Sequence, residues 1–135
     1  MDRKEISSIK YLTVKDILLL HELAIDNFGG SHGLRDFALL ESAVLRAQTT
    51  FEGQDLYPTI FLKGAALVHS LLLNHMFVDG NKRTAMFAMM EFIELNGYMM
   101  TVNQEDVVKT ALWIENDKPE IEEIATWLEK NSKKI

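Results

Sequence analysis

The sequence predicts an all-α single domain, a bundle of about six helices over residues 1–135, and three observations carry that expectation. Two stretches, Thr59 to Leu73 and Thr84 to Leu95, are so evenly apolar that neither keeps a solvated face. Around them lie segments with apolar residues at helical spacing, opened by capping residues or closed by glycine. The one β-prone stretch, Tyr98 to Val102, is short and isolated, and no repeat, low-complexity tract or shift in composition divides the chain.

The elements follow in order. Thr13 with Asp16 three residues on forms a capping-box pattern, and Val14, Ile17, Leu18, Leu20, Leu23, Ala24 and Phe28 recur at helical spacing, so a helix runs from about Val14 to Asn27. Gly29 and Gly30 end it, because glycine takes the left-handed conformation favoured past a helix C-terminus. SHGLR reads as a mobile loop, and Asp36 caps a second helix with Leu39, Leu40, Ala43, Val44 and Ala47 on one face, ending by Thr50. FEGQDLYP reads as a loop with two aromatic anchors, and Pro58 suits the start of the third helix, which runs to about Asn74. The next apolar helix is closed by Asn96 and Gly97. Asn103 caps a helix bearing Val107, Val108, Ala111, Leu112 and Ile114, and Pro119 opens the last, with Ile121, Ile124, Trp127 and Leu128. The closing NSKKI reads as a frayed basic tail.

Composition narrows the function classes. A chain of this length buries roughly two-thirds of the surface its unfolded form exposes, so it needs no staple. With no cysteine it has neither disulfides nor a thiolate nucleophile, which fits a reducing compartment. MDRKEISS is charged rather than apolar, so no secretion signal is expected. The longest uncharged apolar run, Gly64 to Leu73, is far short of the ~20 residues of a membrane span. A soluble, cytoplasmic protein is the expectation. The net charge of −6 argues against a broad nucleic-acid surface, so no direct nucleic-acid binding is expected and any phosphate chemistry must be local.

That chemistry concentrates in His75 to Ala85, HMFVDGNKRTA, where an imidazole, a carboxylate, an amide, two cations and a glycine share one loop and helix start. His75 is placed to take a proton from a hydroxyl, or else merely closes the helix before it. Asp79 suits a magnesium ion that keeps waters and substrate phosphates as its other ligands, or it caps the next helix. Gly80 lets the backbone approach a phosphate, or serves a turn. Asn81 offers an amide donor or is itself the N-cap. Lys82 and Arg83 oppose a helix N-terminus carrying about half a positive charge, a misplacement that argues for a bound anion. Met76 and Phe77 face inward as anchors, and the seven methionines read as core filler. His69 reads as a hydrogen-bonded core histidine, while His21 and His32 lack neighbours at zinc-ligand spacing.

HMFVDGNKRTA resembles the signature of Fic/Doc proteins, HxFx(D/E)(A/G)N(G/K)R, and its lysine form on a short all-α chain is similar to the death-on-curing (Doc) toxin branch. GGSHGLRD, LLESAVLRAQ, FEGQDLYP and the NGY after the motif helix stand where such proteins carry similar segments. The resemblance implies the Fic fold and a protein hydroxyl attacking ATP bound with Mg2+. His75 would be the base, Asp79 the magnesium ligand, and Gly80, Asn81, Lys82 and Arg83 the phosphate cradle. In this family AMP transfer goes with a glycine at the position of Lys82 and an arginine at that of Met86. Their absence implies the Doc branch, delivery of the γ-phosphate, and a threonine of elongation factor Tu as target, which would block translation. Gly80 replaces the commoner Doc alanine and leaves the branch open. AMP transfer and a non-catalytic antitoxin-binding module are the alternatives. The inhibitory pattern (S/T)xxxE(G/N) finds its nearest frame at Ala111 to Glu115 and Asn116, without the hydroxyl. Inhibition by a separate antitoxin chain, laid along the amphipathic terminal helices, is therefore implied.

Overall fold

The computed structural model describes residues 9–135, so the expectation for MDRKEISS lies outside the described residues. Six helices follow in order: α1 Val14–Phe28, α2 Phe37–Arg46, α3 Ile60–Leu73, α4 Asn81–Leu95, α5 Gln104–Asp117 and α6 Ile121–Lys130. Two small antiparallel ladders join them, β1 Thr50–Phe51 with β2 Gln54–Asp55, and β3 Tyr98–Met100 with β4 Ser132–Lys134. No helix of the described residues is long and apolar enough to cross a membrane.

Side-chain acceptors set most helix starts. In α1 the Thr13 hydroxyl accepts from the Asp16 N–H while the Asp16 carboxylate accepts from the Thr13 N–H, so two orphan donors are satisfied reciprocally. Asp36 accepts from the Leu39 N–H to open α2, and Asn103 and Asp106 repeat the box at α5. Pro58 and Pro119 do not open their helices. Thr59 caps α3 by accepting from the Leu62 N–H with its hydroxyl, an acceptor proline lacks, and Glu120 opens α6 in a box with Glu123, its N–H donating to the Glu123 carboxylate at 3.2 Å.

The core is built around α3, which packs on α2, α4, α5 and α6. Ala65, Ala66, Val68, Leu71 and Leu72 are buried along it. At Gly64 a Cβ would stand 3.3 Å from Ile93 and 3.4 Å from Leu128, so the absence of a side chain lets α4 and α6 approach closely. Leu18 and Leu23 of α1 and Val108 and Leu112 of α5, expected on apolar faces, are exposed, whereas Ile25, outside the predicted stripe, is buried. The apolar stripes are narrower than their sequence suggests because α1 and α5 lie at the periphery.

One loop and the C-terminal tail are more ordered than expected. FEGQDLYP folds into the β1–β2 hairpin, and polar groups rather than two aromatics anchor it: Phe51 is exposed, while Tyr57 accepts from Arg46 Nε at 3.2 Å. Asp55 pairs at 3.2 Å with Lys63, a lysine that is fully buried and also donates to the Ala47 carbonyl. The NSKKI tail is a strand, not a frayed end. Its Ser132–Lys134 backbone supplies the partners that Tyr98–Met100 needs, and the Ile135 N–H donates to the Gly97 carbonyl.

His69 is half-buried and hydrogen-bonded as expected, with Nδ1 3.0 Å from Arg46 Nη1. A guanidinium only donates, so Nδ1 must be the unprotonated acceptor. Burial first, and the Arg46 charge second, push the His69 pKa below its ordinary value, with Glu120 opposing. The folded state therefore binds this proton less readily than the unfolded chain. Its contribution to stability is present above an unfolded pKa of about 6.5 and is lost as pH falls through the lower folded value. Thermal unfolding across that range should show the decline, and His69→Asn, which keeps an acceptor near Nδ1, should flatten it.

Candidate active site

The motif loop runs from the end of α3 to the start of α4. Asn74 is the C-cap of α3, so the capping alternative falls to Asn74 and not His75. His75 stands one residue further on with φ +45°, a left-handed conformation uncommon outside glycine but favoured just past a helix end. Its carbonyl accepts from Arg35 Nη2 at 2.6 Å, which helps hold the backbone there. Met76 and Phe77 are buried as expected and root the loop in the core.

Asn81 closes the loop on itself. Its Oδ1 accepts from the Phe77 N–H and its Nδ2 donates to the Phe77 carbonyl, both at 2.9 Å. Neither Asn81 nor Asp79 is the N-cap of α4. Gly80 occupies that position with φ +74°, and a Cβ there would meet Ile25 at 2.9 Å, so both backbone and space call for glycine. Among the six helices of the described residues α4 alone has neither a side-chain cap nor a capping box. The first backbone N–H groups of α4 therefore lack both an intrahelical partner and a side-chain cap.

The segment expected as a mobile loop is instead strapped to the motif. Leu34 and Phe77 form an antiparallel bridge, the Val78 N–H donates to the Gly33 carbonyl at 3.0 Å, and the Met76 carbonyl accepts from Arg35 and Asp36. Backbone pairing of this kind is invisible to a composition-based reading of SHGLR. Asp79 is held by both oxygens, Oδ1 accepting from the Gly80 N–H at 2.9 Å and Oδ2 from the Ser31 N–H at 3.1 Å.

These residues converge on one cavity of about 420 Å³. His75, Asp79, Gly80, Asn81, Lys82 and Arg83 form a polar wall, so every site residue predicted from the sequence lines it. Met86, Phe87, Val107, Val108 and Ala111 form an apolar wall, with Gln104 and Glu115 at its edges. The two cations are not unbalanced, contrary to expectation. Lys82 Nζ pairs with Glu115 at 2.9 Å, and the Arg83 guanidinium lies 4.1 Å from the centre of the Phe28 ring. Their position at the helix start therefore does not by itself demand a bound anion.

A family model described as the Fic/DOC family matches residues 11–93, a span from the start of α1 to near the end of α4. The chain belongs to the Fic/DOC family. It is 44% identical over 94 residues to Toxin Doc of Mycolicibacterium smegmatis, a match covering 70% of each protein. It is 26% identical over 89 residues to Protein kinase doc of Escherichia phage P1, covering 66% of this chain and 70% of that protein. These relatives place this Fic/DOC chain on the Doc branch.

Three residues at the site carry no signal in the sequence: Gln104 and Glu115 at the cavity edge, and His21 beneath the motif loop. His21 of α1, set aside for lack of zinc-ligand neighbours, is buried beneath the loop with Nε2 2.7 Å from the Asp79 carbonyl oxygen and its ring stacked on Phe77. Its position 54 residues before the motif gave no local signal. Because Asn81 supplies both bonds that close the loop, Asn81→Ala should lower the unfolding free energy by about 1–3 kcal/mol, measured by denaturant titration.

Proposed function

We propose that the chain is a Doc-type toxin that transfers the γ-phosphate of ATP to a protein hydroxyl. The observation that carries this reading is the uncapped start of α4, furnished with Lys82 and Arg83, opening into the same cavity as His75. Free N–H groups at a helix N-terminus bind phosphate oxygens, and the two adjacent cations add charge to them. The apolar wall offers a surface for a nucleoside. The two relatives, one named a toxin and the other a protein kinase, support the same reading.

In the proposed reaction His75 accepts the proton of the target hydroxyl as its oxygen bonds to the γ-phosphorus, and the bond from that phosphorus to the β,γ-bridging oxygen breaks to release ADP. Transfer of this kind relies on positioning and charge neutralisation more than on covalent help. Lys82, Arg83 and the α4 N–H groups bind the charge, and Asn81 keeps the loop in register. Asp79 fits a magnesium ligand. Each of its oxygens accepts one backbone N–H and retains further acceptor capacity, and no group of three or more metal-ligating side chains occurs among the described residues. A magnesium ion there would draw its other ligands from water and phosphate and would neutralise phosphate charge. An antitoxin chain that covers the cavity is the proposed partner, and a threonine of elongation factor Tu the proposed target.

Incubation with γ-labelled and α-labelled ATP and a translation extract tests the reaction. Protein labelling from the γ position alone is expected; labelling from the α position would indicate AMP transfer. His75→Ala should reduce labelling by about 10²–10⁴-fold. If it left labelling and toxicity intact, a non-catalytic antitoxin-binding role would replace the enzyme. Glu115 competes with phosphate for Lys82, so Glu115→Gln should tighten nucleotide binding by up to about fivefold, read by calorimetry.

A further inference from the structure

We infer that His21 is a positioning residue that sets the orientation of the Asp79 carboxylate, and through it the cation affinity of the site; this rests on the proposed role of Asp79. A carbonyl oxygen can only accept, so at 2.7 Å from Asp79 O the Nε2 of His21 must carry the hydrogen. That bond pins the plane of the Asp79–Gly80 peptide. In a trans peptide the N–H points opposite to the carbonyl, so with the Asp79 carbonyl turned toward α1 the Gly80 N–H is turned the other way. There it meets Asp79 Oδ1 at 2.9 Å, while the Ser31 N–H holds Oδ2 at 3.1 Å. The carboxylate is thus bracketed by two backbone donors, one of which His21 aims.

The His21 ring also lies parallel to the Phe77 ring, 3.8 Å between centres and 6° between planes. Phe77 is the residue whose N–H and carbonyl Asn81 binds. One buried imidazole on α1 therefore touches the loop at two of its held residues, Phe77 and Asp79. An inert packing role would need only the flat apolar surface of the ring. The aimed Nε2–H is the feature that packing does not require.

Three proteins separate these roles: the wild type, His21→Phe, which keeps the stacked surface without the donor, and His21→Gln, whose amide places a donor near Nε2. Binding of a nonhydrolysable ATP analogue is titrated with and without Mg2+ by calorimetry. His21→Phe should lose about tenfold in Mg2+-dependent affinity, as loss of a partner that orients a metal ligand does, while His21→Gln stays within about twofold of wild type. Equal binding by His21→Phe and wild type, or equal impairment of both variants, overturns the inference. If no form, wild type included, binds the analogue, the proposed function fails. The positioning role is then decided by the Gly80 and Ser31 backbone amides, the two donors to the Asp79 carboxylate, whose hydrogen exchange should quicken in His21→Phe and not in His21→Gln; unchanged rates in both overturn it. If His21→Phe does not fold, the wild-type imidazole decides: its Nε2 should be protonated and slow to exchange by nitrogen NMR in alkaline buffer, and an unprotonated Nε2 overturns the role.

Discussion

The return of Asn81 onto the backbone of Phe77 is the constraint on which the site depends. A helix can begin anywhere along an apolar segment, but the two bonds from one amide fix how many residues separate the buried Phe77 from the first turn of α4. Everything polar in the motif lies in or beside that fixed interval. His75 precedes it with a left-handed backbone, Asp79 and Gly80 fall inside it, and Lys82 and Arg83 follow on the helix. A loop that bonds to itself in this way has few alternative arrangements, which is what a reaction governed by positioning requires.

The rest of the molecule supports that interval from three directions. From below, the loop is rooted by Met76 and Phe77, both buried in the hydrophobic core. From one side, α1 presents Ile25 against Gly80, and the segment after it pairs with the loop backbone at Leu34. From the other, α5 sends Glu115 across to Lys82 and contributes Val107, Val108 and Ala111 to the cavity wall. Lys82 and Arg83 are balanced by a carboxylate and an aromatic face. Binding a polyphosphate would exchange the first of these partners, so part of its electrostatic gain is offset by the loss of an ion pair.

Much of this was legible in the residues. Local signals are the clearest: Thr13 with Asp16, Asp36 and Asn103 cap their helices through atoms within a few positions, and Gly29 ends α1 at positive φ, though extended rather than in the left-handed helical conformation. The motif was likewise dense enough for its residues to be brought to one cavity. What escaped depends on partners distant in sequence. NSKKI looks like a frayed tail because nothing in it announces that Tyr98–Met100 lies beside it. SHGLR looks mobile in the sequence because its order comes from backbone bonds to residues some forty positions away. Lys82 and Arg83 look unbalanced in the sequence because Glu115 and Phe28 approach only in three dimensions. His21 is the sharpest instance, a histidine with no chemistry beside it in the chain and the motif loop above it in the fold.

The central claim is that the uncapped tip of α4 grips a polyphosphate whose terminal phosphorus faces His75. A crystal structure with a nonhydrolysable ATP analogue and Mg2+ tests it most directly. The account predicts phosphate oxygens on the N–H groups of Asn81 to Arg83, with the γ-phosphate the one nearest the His75 imidazole. An α-phosphate in that place, or a nucleotide bound outside this cavity, would contradict it.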